Sequence, residues 1–385
     1  MLFIRFEPSC TRKRSGGLQV PDRLFFYKGR VALYAILKAL DIKFGDEVIL
    51  PGFTCVVVPN AISYLHAKPV YVDIEPKTYN IDPLQIEACI TEHTRAIIAQ
   101  HTFGIPARMD AINDIAKKYN LYVIEDSCHA IGSKYKGKEV GTLGDAAFFS
   151  SQWSKPVTTG LGGWIQTNNP ALKDNLDKLR SSFSEPSSRD DFMLRMQYFV
   201  HSKLLTPSLF WFAQNTFRQL SKHGIVVGSS TNEELEHKMP ANYERKMSKW
   251  QENTIKEKLN NISASIEHRN WVVCQYERIL SEVGISSVKV PRYSDVVFLR
   301  YPMLVKNKDR VLELAKKNRI EMGDWFLSPV HPNVSGWENI SYKSGMCPKA
   351  EEMCQHVINL PTHTRIRKAD IEKIGSFVNT FNKEF

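Results

Sequence analysis

Asp126, Ser150 and Lys155 each stand just beyond a short apolar run. Residues 121–124 are apolar and lead into Glu125 and Asp126, the form of a buried parallel strand that delivers a carboxylate to the open end of a sheet. Residues 146–149 lead into Ser150 and Ser151, and Lys155 follows. Gly160, Gly162 and Gly163 come next and predict tight turns beside the lysine. Open α/β sheets bind ligands outside the carboxyl ends of their strands. An amine, a carboxylate and a hydroxyl gathered there suit pyridoxal 5'-phosphate. That cofactor needs a lysine for a Schiff base, an acid at the ring nitrogen and donors for the phosphate. Taken singly, such residues are more often ordinary surface groups, so the elements around them matter.

Those elements alternate. Gly29 and Arg30 open a helix with Leu33, Ile36, Leu37 and Leu40 on one face. Its free N–H groups and positive dipole end offer a phosphate seat at 29–31; the plainer alternative is a simple helix start. A strand ends near Pro51, and helix 56–65, strand 68–73, helix 83–91, strand 96–100 and helix 109–119 follow. This rhythm predicts a mostly parallel sheet with helices on both faces. Residues 183–240 are rich in serine, basic and aromatic residues. Within them, 192–217 reads as an inserted helical hairpin packed on its own domain or a second subunit, with contact to a membrane surface as the lesser alternative. Charged helical sequence over 243–284 leads to a strand within 290–305, then helices at 308–318, 348–358 and 368–382.

The 385 residues suffice for two lobes. With 43% hydrophobic and 24% charged residues the composition is that of a globular protein. The formal net charge of +10 favours anionic partners such as sugar phosphates, nucleotide-sugars or acidic sugars. Only the short run 11–14 is densely basic, so nucleic acid is not an expected partner. The 7 cysteines (10, 55, 89, 128, 274, 347 and 354) are scattered and lack metal-ligand spacing, which points to a reduced, cytoplasmic protein without a metal site. No Gly-x-Ser-x-Gly elbow or HExxH motif is present.

The tract Glu125-Asp126, Ala130-Ile131-Gly132, Tyr135-Lys136-Gly137, Gly141, Gly144-Asp145, Phe149-Ser150, Lys155, Thr158-Thr159-Gly160-Leu161-Gly162-Gly163 resembles, in order and spacing, the DegT/StrS-like sugar aminotransferases. The resemblance is best over 29–170 and returns over 300–380, including the run Val357 to His363. It implies the aspartate-aminotransferase fold, an α/β fold whose large domain is a three-layer, mostly parallel sheet, with a smaller C-terminal α+β domain. It divides the chain into an arm (1–28), a large cofactor-binding domain (29–250, variable at 183–240) and a small domain with its linking helix (251–385).

The same resemblance implies roles. Lys155 holds pyridoxal phosphate and shuttles the proton, and Asp126 pairs with the ring nitrogen. His129 stands where the family usually has glutamine beside the ring oxygen, and Ser150 is the phosphate serine. Gln152 replaces a histidine near the cofactor. Gly29 and Arg30 take the place of a Gly-Thr pair, trading a hydroxyl donor for a cation. Cys55 falls where an aromatic usually stacks on the ring, a platform that Phe53 is placed to supply instead. Asn242 is nearest to the asparagine that the family borrows from a second subunit, so a homodimer is expected. The activity implied is transfer of an amino group, from L-glutamate, to a keto- or aldehydo-sugar carried on a nucleotide. A dehydratase or lyase on the same cofactor, or a non-catalytic cofactor-binding regulator or scaffold, are the alternatives.

Overall fold

The computed structural model describes residues 23–203, 212, 216, 219, 226–228, 230–332 and 336–385. The basic run 11–14, and most of the aromatic stretch 204–217, lie outside the described residues.

The large lobe is built on a seven-stranded sheet. Its order is Leu24–Phe26, Gly163–Gln166, Ala146–Ser150, Tyr122–Asp126, Thr94–Gln100, Glu47–Pro51, Lys68–Val72. The five strands from Ala146–Ser150 to Lys68–Val72 run parallel. The remaining two pair antiparallel at one edge. Ile97 and Ile98 on the inner strand Thr94–Gln100 are both fully buried although they point to opposite faces. A strand covered on both sides loses the polar–apolar alternation, and these sequences therefore read as continuous apolar runs. Leu24–Phe26, near the end of the stretch read as an arm, forms the edge strand.

Helix Gly29–Ala39 lies almost wholly inside, with Gly29 to Leu37 buried. It can approach the sheet so closely because two glycines meet. A Cβ on Gly163 would lie 2.3 Å from Gly29 Cα, and one on Gly29 would lie 3.0 Å from Ser150 Cβ. The start of this helix is thus pressed against the end of the strand that carries Ser150.

The second lobe holds the antiparallel pair Arg300–Leu304 and Val357–Pro361. Helices Ile262–Glu282, Lys308–Lys317, Pro348–His356 and Lys368–Thr380 accompany it. The charged sequence read as continuous helix over 243–284 breaks at Asn261, between Lys249–Asn260 and Ile262–Glu282. A short parallel bridge joins the lobes, with Val330 opposite Thr54 and His331 opposite Cys55. This bridge brings the segment Glu321–His331 over the carboxyl ends of the large sheet.

Candidate functional site

The parallel strands place their last residues along one rim. Asp126 ends its strand, opposite Gln100 on one side and Phe148 on the other. Ser150 ends the next strand, and the tight chain after it brings Lys155 back, its N–H donating to the Gln152 carbonyl at 2.9 Å. Gly160 and Gly162, with φ of 88° and 141°, make the return that follows. Lys155, Gln152, Lys28, Asn242, Trp325 and Arg300 all line one cleft of about 2370 Å³.

The two acids of the Glu125-Asp126 pair point to opposite faces, as strand geometry requires. Glu125 is fully buried and accepts from the N–H groups of Gly141, Leu143 and Gly144 at 2.7, 2.6 and 2.8 Å. It also meets His101 Nε2 at 3.1 Å. It shapes the loop behind the sheet. Asp126 faces the other way, where its Oδ1 accepts the Cys128 N–H at 3.1 Å. Burial raises its carboxyl above the usual range, against the pull of the Cys128 hydrogen bond, Lys155 and His101. It is a buried acid well placed to welcome another cation.

Lys155 is half-buried, and its Nζ lies 5.5 Å from the centre of the Trp325 ring. Burial lowers the affinity of this amine for its proton, and the charge of Arg300 adds to that. His129 stacks on Trp325, with ring centres 5.7 Å apart and planes 12° apart. Its Nδ1 accepts the main-chain N–H of Phe103 at 3.3 Å. Burial, then Lys155, pushes its pKa well below the ordinary histidine value. The ring is therefore neutral with its proton on Nε2, a fixed donor rather than a switch.

At the other end, Ser150 is buried, and its Oγ accepts the Gln152 N–H at 3.4 Å. Its own proton remains to donate. The first-turn N–H groups of Gly29 and Arg30 have no carbonyl of their own helix to meet. The Arg30 side chain is turned elsewhere. It pairs with Glu234 at 2.8 Å and donates to Ser230 at 3.1 Å. Lys28 joins the same carboxylate at 3.3 Å. The cation expected as a substitute phosphate donor thus already has a buried partner.

One other expectation needs correction. Phe53 does not supply a stacking platform. It is fully buried against Tyr79, Phe103 and Phe326, with ring centres 5.7, 6.4 and 4.7 Å away. The aromatic beside Lys155 is Trp325, which the sequence did not single out. Asn242 is exposed on the cleft wall next to Ala241, which leaves it free to serve a second subunit but gives it no part in the cluster around Lys155. Cys55 is only part-buried and feels the charges of Arg30 and Lys155, so it does border the site.

Glu234, Lys28, Trp325 and Arg300 were missed. The pattern Thr231-x-x-Glu234 signals a helix start, and the capping box it forms is present. Nothing in it announces that Glu234 reaches Lys28 and Arg30. The donor set fits pyridoxal phosphate: an amine whose hold on its proton burial weakens, a buried acid, a neutral imidazole donor, a buried hydroxyl, and a helix start where the backbone approaches without a Cβ. Among the described residues no group of three metal-ligating side chains occurs.

Comparison with known proteins agrees with this fold. The sequence profile of the DegT/DnrJ/EryC1/StrS aminotransferase family matches residues 25–200 and 213–379. The UDP-2-acetamido-2-deoxy-3-oxo-D-glucuronate aminotransferase of Pseudomonas aeruginosa is 29% identical over 347 residues, 90% of this chain and 82% of that protein. A "pleiotropic regulatory protein" of Geobacillus stearothermophilus is 30% identical over 361 residues, 92% of this chain and 84% of that one. Among solved structures, the putative sugar aminotransferase Spr1654 from Streptococcus pneumoniae in its PMP form superposes with a TM-score of 0.72. It has 21% identity and covers 94% of this chain and 88% of that one. It is also known in a PLP form. By this match along nearly its whole length, the chain belongs to the DegT/DnrJ/EryC1/StrS aminotransferase family.

Proposed function

We propose that this aminotransferase moves an amino group from L-glutamate to a keto- or aldehydo-sugar carried on a nucleotide, in the making of a polysaccharide or a glycosylated natural product. The observation that carries this reading is the meeting of Lys155, Asp126 and His129 at the carboxyl ends of adjacent parallel strands. The cleft is large as well. At about 2370 Å³ it exceeds the roughly 300–1,000 Å³ of an ordinary small-molecule pocket. A cofactor and a nucleotide-sized substrate fit together in such a space. The name of the Pseudomonas relative supports a nucleotide-linked sugar substrate.

Pyridoxal phosphate, when bound, supplies an electron sink for the carbon that gains or loses the amine. The rest falls to the chain. Lys155 Nζ, whose hold on its proton burial weakens, would accept the proton at the reacting carbon and return it. Asp126 would keep a negative charge against the ring nitrogen. His129 Nε2 would donate to the ring oxygen. Ser150 Oγ and the N–H groups of Gly29 and Arg30 would orient the phosphate. Trp325 and His129 wall off water above the amine.

The enzyme is proposed to act as a cytoplasmic homodimer, with Asn242 on the wall that a second subunit would meet. None of the six described cysteines is in a disulfide, in keeping with a reducing compartment. The name of the Geobacillus relative favours a second reading, a regulatory protein that binds the cofactor without turnover. One experiment separates them. Purified protein with pyridoxal phosphate is mixed with L-glutamate, and the band at roughly 400 nm is followed. Bleaching with formation of 2-oxoglutarate supports transamination; a band indifferent to every amino acid supports the regulator.

A further inference from the structure

Lys308 opens helix Lys308–Lys317 and is 5% exposed. Its Nζ donates to two main-chain carbonyls, that of Phe326 at 2.7 Å and that of Cys354 at 2.9 Å. Neither acceptor is charged, and burial holds the Lys308 pKa below the ordinary lysine value. A cation taken out of water onto neutral acceptors is costly. An apolar side chain of similar length would fill the space without that cost. The hold on two carbonyls is what the amine adds.

The Phe326 carbonyl is the second of two successive anchors. The Trp325 carbonyl accepts Asn359 Nδ2 at 2.9 Å, and Asn359 is fully buried. Asn359 also exchanges main-chain hydrogen bonds with Gly323, at 2.8 and 3.0 Å. Gly323 comes so close that a Cβ on it would lie 1.9 Å from Asn359 Oδ1. A planar peptide leaves only φ and ψ free, so fixing the carbonyls of Trp325 and Phe326 leaves the chain there little room to turn. Both donors, Asn359 on strand Val357–Pro361 and Lys308, belong to the second lobe. The Trp325 ring that they mount lies against the first. It stacks on His129, with ring centres 5.7 Å apart and planes 12° apart, and its centre is 5.5 Å from Lys155 Nζ.

We propose that Lys308 is a positioning residue for the reactive amine: by holding the Phe326 carbonyl it keeps Trp325 stacked on His129 and over Lys155. Lys308 touches neither cofactor nor reactant and acts through the indole alone. Without Lys308 the indole is free to shift, and Lys155 Nζ loses a wall that fixes where it points. A misplacement of about 1 Å at a reacting group can cost about 100-fold in rate. This rests on the aminotransferase reading above and adds to it the residue by which the second lobe steadies the reactive lysine.

The test has one arm without cofactor and one with it. In cofactor-free protein the emission of Trp325 is taken as the difference between the unaltered chain and Trp325→Leu, and again with Lys308→Met in both. Lys308→Met is expected to move that difference to longer wavelength and open it to quenching by acrylamide. In protein loaded with pyridoxal phosphate, loss of the band at roughly 400 nm is followed at rising L-glutamate. Lys308→Met lowers the limiting rate between about 10-fold and 100-fold and leaves the half-saturating concentration within about twofold. Lys308→Arg, which keeps the charge and the donors, recovers part of the rate. Beside Trp325→Leu, Lys308→Met costs no further rate, because residues that act through one another do not add. If Lys308→Met does not fold, Lys308→Arg takes its place in every comparison, and its smaller loss must vanish beside Trp325→Leu. An unmoved Trp325 emission overturns the proposal, as does an equal loss of rate with and without the indole. So does a full rate in a Lys308→Met protein of lowered thermal midpoint, which leaves Lys308 a purely structural part. An unaltered holoenzyme whose band answers no amine overturns the aminotransferase reading instead, and the emission of the cofactor-free protein still decides whether Lys308 holds Trp325.

Discussion

Glu234 reaches Arg30 across 2.8 Å, and with its other oxygen reaches Lys28 at 3.3 Å, so one buried carboxylate holds both cations that flank the start of helix Gly29–Ala39. Burial opposes ionisation of Glu234, yet Arg30 and Lys28 outweigh it and bring its pKa to about 2 from 4.5. A carboxyl whose folded pKa is depressed contributes stability above its unfolded value and loses it as pH falls through the folded one. Its contribution should be full above about 4.5 and fade toward about 2. Glu234→Gln strands two buried cations and should cost about 3–5 kcal/mol. Urea unfolding at neutral pH checks the magnitude. Unfolding of the unaltered protein and the variant at falling pH checks the sign, since the gap between them must narrow in acid.

Lys155→Ala should abolish both the absorbance near roughly 400 nm and all turnover with cofactor present. Circular dichroism should remain that of the unaltered protein, because Lys155 Nζ borders the cleft rather than the core. Retained absorbance together with retained turnover would move the reactive amine to another lysine.

Asp126→Ala should lower the rate of amino transfer by at least about 100-fold, the lower bound for loss of a group acting in the transition state. Its thermal midpoint should hold, since burial already disfavours the Asp126 carboxylate in the protein alone. A variant of near-normal rate would show that ring-nitrogen charge is set elsewhere.

His129→Gln should keep most of the activity, because glutamine also donates one hydrogen bond at that place, whereas His129→Phe should not. The pKa of His129 lies well below the ordinary value, so the imidazole is neutral across neutral pH. The rate profile between roughly pH 6 and 8 should therefore be the same in the unaltered enzyme and in His129→Gln. A limb near pH 6.5 that vanishes in the glutamine variant would show that the ring does titrate.

Much of this was legible in the chain alone. The runs before Asp126 and Ser150 are short and apolar because both faces of their strands are covered, and that local signature fixes where each strand stops. The helix at 29–39 follows from its spacing of apolar residues, and the glycines after Lys155 from the turns they permit. Sequence order by itself thus determined the parallel sheet and the family, and singled out a lysine and an acid as candidates. Tertiary structure decided what surrounds them. Phe53, close to Cys55 in sequence, is drawn into the core by Tyr79, Phe103 and Phe326. Trp325 arrives from the other lobe because Val330 and His331 pair with Thr54 and Cys55. Glu234 meets Lys28 across a separation of 206 residues. Period and turn chemistry act over a few neighbouring residues, so they could place the candidate groups at the ends of their strands. Charge pairing and aromatic stacking act through space, and only the folded chain shows which distant side chains share it.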